Sequence, residues 1–249
     1  MKQFNALFRL LLLFFALAAS ILALFGMLLL PSHSRLRATA WIAVWFTRAF
    51  LAVYRINVVC QNPEKLRCHH GFIFANHQSQ LDTFALFSQT PVRFLAAANV
   101  RAFRPLLWLA GAIGTAFVNR ADQTSRTQAR ATLVEQLHQE PTLPFVIFPE
   151  GKIRTGDELL PFRYGIFEVA VEHEIAFLPC VLRYLPTHIP SWRGAPRELL
   201  ATAWQRAQYP TPLTIELIPL EPVKPKPDDD PAQLAESTRQ AMAEALGME

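Results

Sequence analysis

The segment Gly71-Phe-Ile-Phe-Ala-Asn-His-Gln-Ser-Gln-Leu-Asp82 joins a short apolar run to a polar loop. The run Gly71–Ala75 predicts a buried strand, and the polar residues begin where that strand would end. Proteins of the α/β class usually place their sites at such strand ends. His77 and Asp82 can act as a general base and the carboxylate that orients it. Asp82 also forms a capping-box pattern with Ser79, which is a purely structural alternative.

From about residue 56 onward, short apolar runs alternate with helix-like stretches. Such alternation predicts an α/β sheet that is covered on both faces. The predicted strands are Ile56–Cys60, Gly71–Ala75, Val92–Ala98, Thr115–Asn119, Pro144–Phe148, Ile175–Arg183 and Leu213–Leu220. The predicted helices are Gln80–Ser88, Arg101–Ala112, Gln123–Gln139, Tyr164–His173 and Pro231–Leu246.

A second candidate segment, Phe148-Pro-Glu-Gly-Lys-Ile-Arg-Thr-Gly156, also follows an apolar strand. The proline and glycine on either side of Glu150 predict a tight turn, and Lys152 and Arg154 come just after it. Backbone amides and positive charge in such a turn can bind an anion. The alternative is an ordinary surface turn whose charges are solvated.

Two further strand ends complete the pattern. The segment Gly114–Arg120 ends in an arginine, whose planar guanidinium can bind two phosphate oxygens at once. The segment Ala176–Val181 is an apolar strand that contains Pro179. Taken alone, the first is one basic residue at a strand end and the second is a core strand.

In this order, the four segments resemble the glycerolipid acyltransferase family, whose best-known members are 1-acyl-sn-glycerol-3-phosphate acyltransferases. The run from Asn76 to Asp82 is similar to the family's first block, Asn-His-x4-Asp, and Phe148–Gly151 is similar to its third. Gly114–Arg120 resembles the second block, the strand around Pro179 the fourth, and Leu160–Gly165 the segment after the third. The likeness covers roughly residues 55 to 220.

The resemblance implies a mixed, largely buried sheet flanked by helices, and transfer of an acyl group from a thioester to a lysolipid hydroxyl. His77 would take the proton from the hydroxyl, and Asp82 would orient His77. Acceptor binding is assigned to Asn76, Arg120, Glu150, Gly151, Lys152 and Arg154. The resemblance also implies acyl-CoA or acyl carrier protein as the donor, with no cofactor, no metal and no acyl-enzyme.

One departure from the family concerns the third block, which most often reads Glu-Gly-Thr-Arg-Ser. Here Arg154 stands three places after Gly151 rather than two, and Arg163 stands where the family often has lysine. The departure leaves open which cation, Lys152 or Arg154, meets the phosphate.

We expect transfer to the sn-2 hydroxyl of 1-acyl-sn-glycerol-3-phosphate, giving phosphatidate. The alternatives are another lysolipid, such as lyso-ornithine lipid, or a non-catalytic lipid-binding membrane protein on the same fold.

The N-terminal residues predict a membrane anchor. Leu10–Leu30 contains 21 residues without a charge, which as a helix spans about 30 Å, the thickness of the hydrocarbon core. After the polar break Pro31–Arg37, the apolar run Ala38–Val59 mixes aromatic residues with only two arginines, as is typical of the lipid–water interface. The first helix would be inserted in the membrane, and the second would be inserted or would lie along the surface. The alternatives are a signal peptide for the first run and a core helix or strand for the second.

The predicted organisation is a helical hairpin over residues 1–55, an α/β domain over 56–220, and a Pro-rich linker with a C-terminal helix over 221–249.

Charged residues make up 18% of the chain, below the roughly 25% of soluble domains, which favours contact with lipid. The net charge of +4 favours anionic partners. The arginines between Arg93 and Arg130 alternate with apolar runs, unlike a nucleic-acid arm, and are interpreted mostly as a solvated basic face.

The cysteine pattern argues against a disulfide framework. Cys60, Cys68 and Cys180 are an odd number without a Cys-x-x-Cys pair, which agrees with reduced thiols in the cytoplasm. No second Cys or His pair accompanies Cys68-His69-His70 at ligand spacing, so no metal site is predicted.

The expected partners are the lysophospholipid, the acyl thioester, the bilayer and acyl carrier protein, without nucleic acid. The expected location is the cell membrane, with the active site on its cytoplasmic side.

Overall fold

The structure is a computed structural model that describes residues 2–27, 32–97, 111–119, 121–154, 158–185, 196–208 and 211–248. Arg120 and most of the predicted helix Arg101–Ala112 lie outside the described residues. The helices of the described part are α1 Lys2–Met27, α2 Ser32–Val53, α3 Pro63–Arg67, α4 Leu81–Phe87, α5 Gln123–Gln139, α6 Gly165–Glu172, α7 Pro196–Gln208 and α8 Pro231–Leu246. The strands are β1 Ile56–Cys60, β2 Phe72–Ala75, β3 Arg93–Ala97, β4 Ala116–Val118, β5 Phe145–Ile147, β6 Phe177–Leu185 and β7 Leu213–Pro219.

The strands of the described residues form one seven-stranded sheet in the order β1-β7-β6-β2-β5-β3-β4. The pair β6–β7 is antiparallel and all the other pairs are parallel. The strands β6, β2, β5, β3 and β4 therefore run in one direction, and their C-terminal ends lie at one edge of the sheet. The predicted mixed sheet is confirmed, and every predicted strand matches an observed one within two residues at each end.

Two apolar clusters cover the two faces of the sheet, and the alternating side chains of β2 connect them. Ile73 and Ala75 belong to the cluster that contains residues of α2 and α4. Phe72 and Phe74 belong to the cluster that contains residues of α5 and α6. All four residues of β2 are buried, as is typical of a strand covered on both faces. The core therefore holds β2 rigidly on both sides, up to the residue where the polar loop begins.

The helices α1 and α2 pack against each other, but they contact the rest of the protein differently. Both are long and apolar enough to cross a membrane, and a larger share of Arg35–Val53 than of Gln3–Met27 is buried. In α2, Val44 and Leu51 are buried in the core, whereas Trp41 and Trp45 are exposed. Because one face of α2 belongs to the protein core, lipid cannot surround this helix. One face of α2 is therefore that of a core helix, and the contact of its other face with the membrane stays a prediction.

Several details differ from the sequence predictions. The helix α2 begins at Ser32, inside the stretch interpreted as a polar break to Arg37. The helices α3 and α7 were not predicted, since α3 has only five residues and α7 is rich in polar side chains. Within the predicted Pro-rich linker, Val223 pairs with Phe177 of β6 through two backbone hydrogen bonds of 2.8 Å. The division of the chain at residues 55 and 220 stays a prediction.

Arg93 is an exception to the interpretation of these arginines as mostly a solvated basic face. Its side chain is fully buried and donates from Nε to the carbonyl of Leu143 at 2.9 Å and from Nη1 to that of Gln136 at 2.8 Å. Its guanidinium carbon lies 4.2 Å from the ring centroid of Phe145. Burial lowers the pKa of Arg93 to about 10. This arginine satisfies carbonyls at the end of α5, where the helix dipole favours a cation.

Candidate active site

His77 and Asp82 meet at the edge of the sheet where β2 ends. The imidazole Nδ1 lies 2.9 Å from Oδ2 of Asp82. Asp82 belongs to the first turn of α4 and is fully buried, whereas the side chain of His77 is 15% exposed. The loop between β2 and α4 therefore places a buried carboxylate directly behind a partly accessible imidazole.

The hydrogen bonds around Asp82 define which nitrogen of the His77 imidazole carries the proton. Its Oδ2 accepts hydrogen bonds from the backbone N–H groups of Gln78 and Ser79 at 2.6 and 2.8 Å, and its Oδ1 accepts one from the Tyr184 hydroxyl. Because backbone amides only donate, Oδ2 is an acceptor, and Nδ1 of His77 donates to it. His77 therefore carries its proton on Nδ1 and presents the lone pair of Nε2.

The capping pattern between Ser79 and Asp82 is present beside the ion pair. Asp82 accepts from the Ser79 N–H, and the Ser79 hydroxyl oxygen accepts from the Leu81 N–H at 3.2 Å. Asp82 thus fills both the structural role that the sequence analysis gave as an alternative and the role of contacting the imidazole. Asp82 lies in the first turn of α4, binds the Ser79 N–H just before this helix and contacts the imidazole.

Phe148 holds the imidazole from the neighbouring strand. The ring centroids of His77 and Phe148 are 4.0 Å apart, and the two planes are inclined by only 12°. Phe148 directly follows β5, which pairs with β2 in parallel. The stacking contact and the bond to Asp82 together restrain both the plane and the rotation of the imidazole.

The turn that begins at Phe148 lies against the His77 loop, so the first and third family blocks meet. Glu150 accepts hydrogen bonds from the N–H groups of His77 at 2.7 Å and Leu160 at 3.1 Å. The Arg154 N–H in turn donates to the carbonyl of His77 at 2.9 Å. Burial raises the pKa of Glu150, and these hydrogen bonds and the charge of Arg154 oppose the rise. Glu150 therefore ties the two loops together through backbone groups.

The turn also brings three cations together. Gly151 has a φ of 75°, and a Cβ at this position would lie 2.4 Å from Nε of Arg163. Lys152 is exposed, whereas Arg154 is only 3% exposed, with Nη1 4.0 Å from Sδ of Met248. Gly151 is required both for the left-handed conformation and for the close approach of Arg163.

Asn76 is fully buried at the end of β2, and both ends of its amide bind the backbone of Leu182. Its Nδ2 donates to the Leu182 carbonyl at 3.0 Å, and its Oδ1 accepts from the Leu182 N–H at 2.7 Å. Gln78 donates to the same carbonyl at 3.0 Å. These contacts are those of a side chain that positions the loop. The predicted role of Asn76 in acceptor binding stays a prediction.

The sequence analysis missed Tyr184, whose hydroxyl binds Oδ1 of Asp82. Tyr184 lies near the end of β6, 102 residues after Asp82, and the two meet because β6 pairs with β2 in parallel. The only sequence signal was that Tyr184 directly follows the predicted strand Ile175–Arg183, whose pairing partner was unknown. Within the described residues, the three cysteines are free thiols, and no three His, Cys, Asp or Glu side chains form a group that could hold a metal.

Comparison with known proteins identifies the family. A sequence model of the acyltransferase family matches residues 57–183, which is more than half of the chain. The chain belongs to the acyltransferase family. The matched range includes the His77 loop and the Glu150 turn, and it confirms the resemblance from which the sequence analysis started. Arg120 also lies in this range, although outside the described residues.

Individual members of the acyltransferase family show the same likeness. The chain is 33% identical over 144 residues to human 1-acyl-sn-glycerol-3-phosphate acyltransferase beta, covering 55% of this chain and 50% of that protein. It is 32% identical over 157 residues to lyso-ornithine lipid O-acyltransferase of Pseudomonas aeruginosa, covering 63% of this chain and 57% of that protein. The matched stretch thus spans about half the length of these relatives.

A solved structure supports the fold over nearly the whole chain. The crystal structure of the 1-acyl-sn-glycerophosphate acyltransferase PlsC from Thermotoga maritima superposes with a TM-score of 0.72 at 20% identity. The superposition covers 99% of this chain and 97% of that protein. The N-terminal pair α1 and α2 is included in this coverage.

Proposed function

We propose that the protein is an O-acyltransferase that moves a fatty acyl group from a thioester to the sn-2 hydroxyl of 1-acyl-sn-glycerol-3-phosphate, giving phosphatidate. The observation that carries this proposal is the contact of 2.9 Å between His77 Nδ1 and the buried carboxylate of Asp82, beside the basic turn. Membership of the acyltransferase family supports the class of reaction. The human relative supports the choice of acceptor.

In the proposed first step, Nε2 of His77 takes the proton of the acceptor hydroxyl, because an alcohol is a poor nucleophile at neutral pH. The hydroxyl oxygen forms a bond to the thioester carbon, and the imidazolium is stabilised by Asp82. The carbon–sulfur bond then breaks. His77 returns the proton to the sulfur, which leaves as a thiol. Charge and atoms balance without an acyl-enzyme and without a group beyond the two substrates.

The phosphate of the acceptor is assigned to the basic turn and Arg120. Lys152 is exposed at this turn, so its ammonium can reach a ligand from the solvent side. The buried Arg154 lies next to Glu150 and adds positive charge from behind. Glu150 and Gly151 shape the turn that presents these cations. The assignment places one full anionic charge of the acceptor among cations, where it is favoured electrostatically.

The membrane is the proposed location of the protein, with the active site on the cytoplasmic side. A lysolipid acceptor resides in the bilayer, and α1 and α2 provide two helices of sufficient length and hydropathy to hold the protein there. The donor is acyl-CoA or acyl carrier protein, both of which are cytoplasmic thioesters. No metal or other cofactor enters the proposed reaction.

A second candidate acceptor is a lyso-aminolipid such as lyso-ornithine lipid. The relative from Pseudomonas aeruginosa, at 32% identity, favours this candidate as directly as the human relative favours lysophosphatidate. The altered third block, with Lys152 and Ile153 before Arg154, lies in the loop where a change of headgroup would act. The chemistry at His77 is the same for both acceptors.

A panel of acceptors tests the proposal. Purified full-length protein is given acyl-CoA or acyl carrier protein thioester with either lysophosphatidate or lyso-ornithine lipid. We expect lysophosphatidate to be acylated with a kcat/KM at least about tenfold higher, since one lost charge-assisted contact costs roughly 1.5 kcal/mol or more. The reverse preference would assign the second candidate. Absence of turnover with every donor and acceptor, by folded protein, would favour the non-catalytic alternative.

Tyr184 is proposed to position Asp82 during this reaction. Replacing Tyr184 with Phe leaves Oδ1 of the buried carboxylate without this donor, which for a charged acceptor costs about 1.5–3 kcal/mol. We expect kcat to fall about tenfold or more with little change in KM. A double-mutant cycle with Asp82→Ala separates this role from general destabilisation, because the effect on kcat should shrink to less than about twofold when the side chain that Tyr184 contacts is absent. An undiminished effect would show that Tyr184 acts elsewhere.

A further inference from the structure

The positive charge of the protein is concentrated in its first 63 residues, which contain six cations and no Asp or Glu. The cations are Lys2, Arg9, Arg35, Arg37, Arg48 and Arg55. The remaining 186 residues carry 18 Lys and Arg against 20 Asp and Glu, a net charge of −2. The net charge of +4 therefore arises from the segment that forms the two long apolar helices.

Three of these arginines line adjoining spaces at one end of the hairpin of α1 and α2. A crevice of about 400 Å³ between the start of α1 and the end of α2 is lined by Phe8, Arg9, Leu12, Val53 and Arg55, among others. A second cleft of about 530 Å³ shares Arg55 with the crevice and adds Arg48. None of the residues that line either space is acidic.

Two of the arginines are held in place by neutral groups. Nη1 of Arg9 donates to the carbonyl of Ala207 at 2.8 Å, and Nε of Arg48 donates to the carbonyl of Ser88 at 2.8 Å. Across the described part of the chain, none of the ion pairs involves Arg9, Arg48 or Arg55. The carbonyls orient the guanidinium groups without cancelling their charge.

The crevice combines positive charge with apolar side chains of α1. Arg9 is the last charged residue of α1, and residues 10–27 after it carry no charge. Phe8 and Leu12 stand on either side of Arg9 along the crevice and are both exposed. A ligand with its anionic group at the arginines would thus also contact apolar side chains. This combination fits an amphiphile rather than free phosphate or a nucleic acid.

We propose that the crevice between α1 and α2 binds a resident membrane phospholipid with an anionic headgroup. Arg9 and Arg55 hold its phosphate, Arg48 adds positive charge from the neighbouring cleft, and one acyl chain lies along Phe8 and Leu12. The lipid contacts both the start of α1 and the end of α2, and so it stabilises the packing of the hairpin on the globular part. This ligand is bound and not consumed.

The crevice is distinct from the site that contains His77. The second cleft, which adjoins the crevice at Arg55, includes Ser88 at the end of α4, whereas Asp82 lies in its first turn. The seven residues of α4 span about 10 Å. Binding in the crevice can therefore be measured without turnover, and a failure of the acyltransfer proposal would leave this result standing.

The test uses full-length protein in detergent, stripped of its own lipid and titrated with short-chain phosphatidylglycerol, phosphatidylcholine or inorganic phosphate. Native mass spectrometry counts the bound lipids, and thermal unfolding measures the stabilisation that a bound ligand confers. We expect one tightly bound phosphatidylglycerol and a raised Tm. We expect phosphatidylcholine to bind about fivefold more weakly, as one unit of charge near basic residues predicts, and phosphate to have no effect.

Matched variants locate the site. Arg9→Gln and Arg55→Gln should each weaken phosphatidylglycerol binding about fivefold. Arg37→Gln removes the same charge from an exposed position of α2 outside both spaces and should change binding less than about twofold. His77→Ala should leave binding unchanged. Equal affinity for both lipids, equal loss in Arg37→Gln, or loss of binding in His77→Ala would each overturn the proposal.

Discussion

Replacing His77 with Ala is expected to lower kcat at least about a thousandfold, since general-base catalysis typically contributes about 10²–10⁴ and no other base is placed in this reaction. The acceptor hydroxyl would keep its proton, and the thioester would be attacked only by a neutral alcohol. KM should change little, because His77 acts on the reacting hydroxyl and not on the headgroup. The measurement is steady-state acyl transfer to lysophosphatidate.

The matched control for this change is His138→Ala. His138 is an exposed histidine in the last turn of α5, and its loss should leave kcat unaltered. Thermal unfolding of His77→Ala verifies that the protein still folds, since the change removes both the stacking contact with Phe148 and one hydrogen-bond donor to the buried carboxylate of Asp82. Turnover above a tenth of the wild-type rate in a folded His77→Ala protein would exclude His77 as the base.

Replacing Asp82 with Asn is expected to lower kcat by about 10²–10³, which corresponds to roughly 3–4 kcal/mol of lost stabilisation of the imidazolium. The amide oxygen can still accept from His77 Nδ1 and from the N–H groups of Gln78 and Ser79. The amide nitrogen can donate to the Tyr184 oxygen, because a phenol hydroxyl also accepts. The substitution therefore keeps the hydrogen-bond pattern and removes the negative charge.

Two comparisons make the Asp82 experiment specific to charge. Asp230→Asn makes the same change at the N-terminus of α8, where Asp230 accepts from the Ala232 N–H at 2.9 Å, and it should leave kcat unchanged. Asp82→Ala should also lower the free energy of unfolding by about 3 kcal/mol or more, since buried donors lose their acceptor. If Asp82→Asn retained a third of wild-type kcat, the charge of Asp82 would not assist the imidazole.

The elements of the fold and the first half of the site follow from short stretches of sequence. Strands such as β1 and helices such as α5 were predicted with their observed bounds, because apolar runs, caps and prolines act over a few residues. His77 and Asp82 were predicted to interact for the same reason: they are five positions apart in one loop and one helical turn. Their contact requires no other part of the chain.

The second half of the site depends on strand order. Glu150 lies 73 residues from His77, and Tyr184 lies 102 residues from Asp82. These contacts exist because β2 pairs with β5 on one side and with β6 on the other. The family resemblance indicated the Glu150 turn, but Tyr184 had no such signal, since a tyrosine in an apolar strand is most often a core residue.

By itself, the sequence determined the strands, most of the helices and the His77–Asp82 pair, together with an apolar N-terminal segment. Only the tertiary structure decided that Tyr184 binds Asp82, that Arg93 is buried at the end of α5, and that one face of α2 belongs to the core. The physical reason is the range of the interactions. Caps, turns and side-chain periodicity act between near neighbours, whereas burial and strand pairing depend on segments that are distant in sequence and are known only once the chain has folded.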